Sequence, residues 1–250
     1  MKKLFFMGFA LLLCAMWPAD AAAQLKIGGR KLNTGKLLEA GKDVAKAVTL
    51  SDKDIAQLSR EAVEWMDANN PIADETTEYG ARLKRLTEGI TEINGLPLNF
   101  KVYHVVDVNA FACGDGSIRV FSALMDLMDD DEQMALIAPE IGHVVHADVK
   151  HAMKNAYLSS AARNAAGAAE GSTLAKLSDS QLGEVVTAFT GAQFSQKQEY
   201  EADEYGFEFS VKNGFSPYGM GNSLNKLVEL SKGAKSSTVQ KMFSSHPDSE

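Results

Sequence analysis

Cysteine is nearly absent from these 250 residues: only Cys14 and Cys113 occur. Cys14 lies in an apolar N-terminal stretch, so a mature chain would hold Cys113 alone and no internal disulfide. Clusters of basic residues are missing as well, and the formal net charge is −8. That balance argues against nucleic acid and against anionic membrane surfaces as partners. After residue 23 no run is apolar enough to span a bilayer. There is also no internal repeat and no long linker. Proline is sparse, six in all, yet one of them, Pro139, stands inside a helical pattern.

What is present begins with an export pattern. Lys2 and Lys3 form a basic start, Leu4 to Trp17 an apolar stretch, and Ala21-Ala22-Ala23 a small-residue cleavage site before Gln24. Leu11, Leu12 and Leu13 precede Cys14, where a lipid-modified cysteine would follow a small residue. A removable signal over 1–23 is therefore preferred to a lipid anchor, and the mature chain is expected to be periplasmic or secreted. Removal takes the charge from −8 to −9. The remaining 24–250 reads as one domain, and the 45% hydrophobic content suffices for a core.

Periodicity predicts mostly helix. Leu37, Leu38, Val44, Ala45 and Val48 could line one helix. Ser51 followed by Asp54 is a helix start, with Ile55, Leu58, Ala62, Trp65 and Met66 as its apolar stripe and Asn69-Asn70-Pro71 as its end. Tyr79, Leu83, Leu86, Ile90 and Ile93 mark a second helix stopping near Asn94-Gly95. From Asn99 the period becomes two: Phe100, Val102, His104, Val106 and Val108 make the buried side of a strand. Asn109–Phe121 reads as a hairpin turning at Cys113-Gly114-Asp115-Gly116. A long helix is expected from about Asp130 through Met153 to near Gly171. Others follow at 179–190, 193–212 and 216–231.

Two stretches carry chemistry. In "APEIGHVVHADVKH", Glu140 and His143 are three apart on a helix between apolar neighbours, so both can enter one dry groove. In "QEYEADEYG", Glu199 and Asp203 are one turn apart. Together these could bring a histidine, a general-base glutamate, a third ligand and an outer carboxylate to one point.

From about Asn33 to Glu250 the chain resembles the exported members of the zinc metallopeptidase family that includes the CAAX prenyl protease and the HtpX protease, metallopeptidase family forty-eight. "NAFACGDGSIRVFSALM", "EIGHVVHADVKH", "EYEAD" and "SSHPDSE" carry the resemblance. It implies an α+β, mostly helical, gluzincin-like fold with a small sheet beside the active helix. It also implies zinc-dependent hydrolysis of peptide bonds in exported or misfolded proteins, with a polypeptide as partner. In that family the active helix carries H-E-x-x-H. Carried over, Glu140 is the base, His143 the second metal ligand, Glu199 the third, and Asp203 the carboxylate behind a ligand imidazole. Zinc would polarise the scissile carbonyl and acidify its water.

The first histidine of that motif falls on Pro139. Proline offers no donor atom, so zinc is expected to bind weakly or not at all. The ring also removes a helix hydrogen bond to Ala135, at about 3 kcal/mol or more, and predicts a kink at Ala138. The alternative to hydrolysis is an inactive relative that holds a peptide or partner in the same cleft. A shifted site using His146 would need Glu199 to move by a turn, so His146 and His151 are read as rim or solvent-facing residues. His104 is read as a satisfied, partly buried strand residue, and His246 as a candidate lining residue of the cleft. Ile118 and Val120 are read as an exposed edge to which a peptide could add a strand. The acidic run Asp129 to Glu132 is read as favouring a helix N-terminus through its dipole.

Overall fold

The computed structural model describes residues 25–27, 30–32, 51–167 and 179–233. The predicted signal, the helix over Leu37–Val48 and His246 lie outside these residues.

Strands β1 (Leu25–Ile27) and β2 (Arg30–Leu32) pair with each other as an antiparallel ribbon. Helix α1 (Asp52–Asn69) starts as expected. Ser51 Oγ accepts from the Asp54 amide while the Asp54 carboxylate accepts from Ser51 N, satisfying two otherwise open donors. After β3 (Ile72–Ala73), helix α2 (Glu78–Leu86) is shorter than its apolar stripe suggests. Asn94 and Gly95 take φ of 51° and 77° and close a small hairpin, β4 (Glu92–Ile93) with β5 (Leu96–Pro97). Asn-Gly is a strong hairpin signal, since both residues tolerate left-handed backbone, and it ends no helix here.

Strands β6 (Asn99–Tyr103), β7 (Ala110–Ala112) and β8 (Ser117–Phe121) join β3 in a four-stranded sheet of order β3-β6-β8-β7. β7 and β8 form the expected hairpin, pairing Ala110 with Val120 and Ala112 with Ile118. β6 lies parallel to β8, Phe100 opposite Ile118 and Val102 opposite Val120. The expected strand through Val108 stops at Tyr103. Val106 is exposed, and His104 is exposed with its ring 5.7 Å from that of Tyr79.

One sheet face, carrying Val102, Ala110, Ala112, Ile118 and Val120, packs with Met134, Ile137, Ala138 and Ile141 of helix α4 (Asp130–Val145). The other, carrying Tyr103, Phe111 and Phe121, meets Leu58, Ala62 and Met66 of α1 and Val185 and Phe189 further along the chain. Arg119 also points to this second side and is buried. Its guanidinium grips Asp67 of α1 at 2.9 and 3.1 Å, and Asp67 accepts from Lys101 Nζ and Tyr103 OH as well.

The remaining elements are α3 (Ser122–Leu127), α5 (Asp148–Gly167), α6 (Asp179–Thr190), α7 (Gln196–Lys212) and α8 (Gly219–Gly233). α4 is buried along Glu132 to Val144, flanked by α7, α8 and the sheet. Its N-terminus uses the acidic run as expected and more: Asp129 caps with Glu132, and Asp130 holds Arg82 and Arg85. The single long helix expected from Asp130 to near Gly171 is two helices. They are divided at Ala147, whose φ is 62°. Among the described residues no helix is long and apolar enough to cross a membrane.

Candidate active site

Two helices cross closely to make the site. A β-carbon added to Gly142 would come within 2.9 Å of the Ala202 carbonyl, and one added to Gly206 within 2.6 Å of the Pro139 ring. α7 therefore runs backbone to backbone along α4, with Glu199 beside His143 and Gly206 beside Pro139. The helix is not terminated at Pro139, whose ring is buried against Gly206.

His143 is fully buried, and its two nitrogens face two carboxylates. Nδ1 lies 3.0 Å from Asp148 Oδ2 and Nε2 lies 4.0 Å from Glu199 Oε1. Phe194 stacks on the ring at 4.1 Å between centroids, 20° from parallel. Asp148 Oδ1 accepts from Gln198 Nε2 at 2.6 Å. Burial pushes the Asp148 carboxyl up, but the hydrogen bonds from His143 and Gln198 outweigh it and hold it below the usual carboxylate value.

Glu140, one turn before His143 on the buried helix, accepts the Ala112 amide of β7 at 3.0 Å through Oε2. The base candidate is thus held on β7, one of the two end strands of the sheet. Cys113, next in the chain, is buried, and that burial together with Asp115 pushes its thiol well up, so it is no ready nucleophile.

Residues 79–250 match the family described as Peptidase family M48. The chain belongs to peptidase family M48. It is 40% identical over 236 residues to metalloprotease LoiP of Escherichia coli (strain K12), covering 94% of this chain and 92% of that one. It is 37% identical over 219 residues to metalloprotease YcaL of the same organism, covering 87% and 84%. The beta-barrel assembly-enhancing protease of that strain is 31% identical over 161 residues, 60% of this chain and 32% of its own length. The M48 match includes both stretches that carry the candidate chemistry.

A catalytic zinc takes three protein ligands and a water. Two donors about 2.1 Å from a tetrahedral centre stand about 3.4 Å apart, so His143 and Glu199 at 4.0 Å could form one edge of such a site. The next corner, one turn before His143, is Pro139, which presents only carbon. Among the described residues no group of three or more His, Cys, Asp and Glu side chains gathers to hold an ion. The side chains of the described residues do not by themselves fit a catalytic zinc.

The structure brings His143 and Glu199 together, while Glu140, three residues earlier on α4, is held on the Ala112 amide. Asp203 stands half-buried one turn beyond Glu199, while the carboxylate on the His143 ring is Asp148, which the sequence pattern does not single out. An Asp after "HVVHA" in a long helical pattern is a helix-start signal, and it is the clue the sequence offers. His146 and His151 are exposed; His146 caps α4 and meets Tyr205 edge-on at 6.1 Å. Ile118 and Val120 are no exposed edge: β8 lies between β6 and β7, and both residues are fully buried. The end strands of the sheet are β7 and β3, because β6 pairs parallel with β8 on the side away from β7.

Proposed function

We propose that this fold is built for metal-dependent hydrolysis of peptide bonds in exported or misfolded polypeptides, and that the chain as it stands binds polypeptide without turning it over. Membership of M48 and the metalloprotease names of the relatives support the first half. The observation that carries the second is Pro139, seated against Gly206 where a metal-binding imidazole is needed. Glu140 is the proposed base, His143 and Glu199 the retained metal ligands, and Asp203 the carboxylate that would support an imidazole at 139. The lysine-led apolar N-terminus and the alanine cleavage site support a periplasmic or secreted location for the mature chain.

The test is casein cleavage by three proteins: the sequence as given, Pro139→His, and Pro139→His with Glu140→Gln. The first should bind labelled casein without cutting it and the second should cut. The third should bind without cutting, because it lacks the base. Cleavage by the sequence as given, at the rate of Pro139→His, would refute the reading and favour a shifted site using His146.

A further inference from the structure

We propose that Asp148 is a positioning residue for His143: it holds the imidazole with Nδ1–H on its own carboxylate and Nε2 turned toward Glu199. This does not depend on whether the chain is catalytically competent.

The contact exists only because the helix breaks. In a continuous helix, residue 148 would lie about 140° around the axis from residue 143 and about 7.5 Å along it, too far for a side-chain contact. Instead α4 ends at Val145. The His146 amide bonds Gly142 O at 2.9 Å and the Ala147 amide bonds Val144 O at 3.2 Å. Ala147 then takes a φ of 62°, a left-handed backbone that a residue with a β-carbon adopts only under strain. The strained residue is the hinge that returns Asp148 to the His143 ring.

Asp148 is itself held. Gln198 gives its side-chain amide to Asp148 Oδ1, while its Oε1 accepts from Ser195 N at 3.0 Å and Ser195 Oγ at 2.8 Å at the start of α7. The same helical turn carries Glu199, so one capping arrangement fixes both groups that flank the imidazole. Phe194, just before that cap, fixes the ring plane by stacking. The stack leaves rotation within that plane and the two-fold flip of the ring open, and the Asp148 bond removes both. An ionised carboxylate only accepts, so the proton sits on Nδ1.

The experiment is a long-range proton–nitrogen correlation spectrum of nitrogen-labelled protein, recorded for the neutral His143 ring without added metal. The native chain should show a protonated Nδ1 and a pyridine-type Nε2. In Asp148→Ala the proton should move mostly to Nε2, where Glu199 favours it, exchanging the two nitrogen shifts. Where the alanine variant does not fold, Asp148→Leu keeps most of the volume, offers no acceptor, and should give the same exchange. A merely structural role would lower the melting temperature and leave the tautomer as it was. A native ring protonated on Nε2, or a variant that keeps the proton on Nδ1, overturns the assignment.

Discussion

At the scale of the residue, Pro139 does two separable things. It withholds a metal donor, and it withholds an amide from the Ala135 carbonyl on a fully buried helix turn. Pro139→Ala isolates the second. It should recover much of the proline penalty of about 3 kcal/mol, offset in part because the ring no longer packs on Gly206, and leave a net gain of about 1–2 kcal/mol. Thermal melts should show it as a rise of a few degrees with no gain in metal binding; an unchanged or lower melting temperature would mean that the ring packing outweighs the missing hydrogen bond. Asp148 has a measurable consequence in the reverted protein. Adding Asp148→Ala to Pro139→His should weaken zinc binding about 10-fold to 100-fold, the usual cost of losing a hydrogen-bond partner behind a ligand imidazole. Competition with a chelator reads this directly.

At the scale of the element, the crossing of α4 and α7 sets the site, and small residues permit it. Gly142→Ala would gain about 1 kcal/mol of helix propensity, but its methyl would sit 2.9 Å from a backbone carbonyl that cannot swing aside. The overpacking cost of about 1–3 kcal/mol should win. A lower denaturant midpoint with an unchanged slope would bear this out; a stabilised variant would show that the helices separate freely. Much of this level is legible in the sequence because it is local. The starts of α1 and α4 are written as Ser51/Asp54 and the acidic run Asp129 to Glu132, and the β7–β8 hairpin as alternation around a glycine-rich turn, whereas α7, expected from 193, begins at Gln196 behind a Ser195/Gln198 cap. What is not legible is long-range. The parallel partnership of β6 and β8 buries Ile118 and Val120 instead of leaving them at an edge, and no pattern within either strand announces the other. Arg119 is a charge within a short strand, yet it is buried, with Asp67 of a distant helix as its partner. The division at Ala147 falls in a segment whose composition favours unbroken helix, and it is what lets Asp148 meet His143.

At the scale of the whole molecule, stability and chemistry rest on different carboxylates. Burial pushes Asp67 up, but hydrogen bonds from Arg119, Lys101 and Tyr103 outweigh it and hold its carboxyl low in the folded chain. A depressed folded value means that this stabilisation is present above the unfolded value of about 3.9 and is lost as pH falls through the folded one. Asp67→Asn should therefore cost most near neutrality, about 3–5 kcal/mol since it strands the buried Arg119, and the gap to the parent should close in acid. Urea midpoints at pH 7 and near pH 3 measure it; a gap that widens in acid would reverse the sign. The fold, so secured, holds His143 beside Glu199 and Glu140 on the Ala112 amide. The most direct measurement of the central claim is the metal content of the purified mature chain beside that of Pro139→His, both dialysed against zinc at low concentration. The account predicts well under one zinc per chain for the sequence as given and one per chain for the variant. One tightly held zinc in both would contradict it.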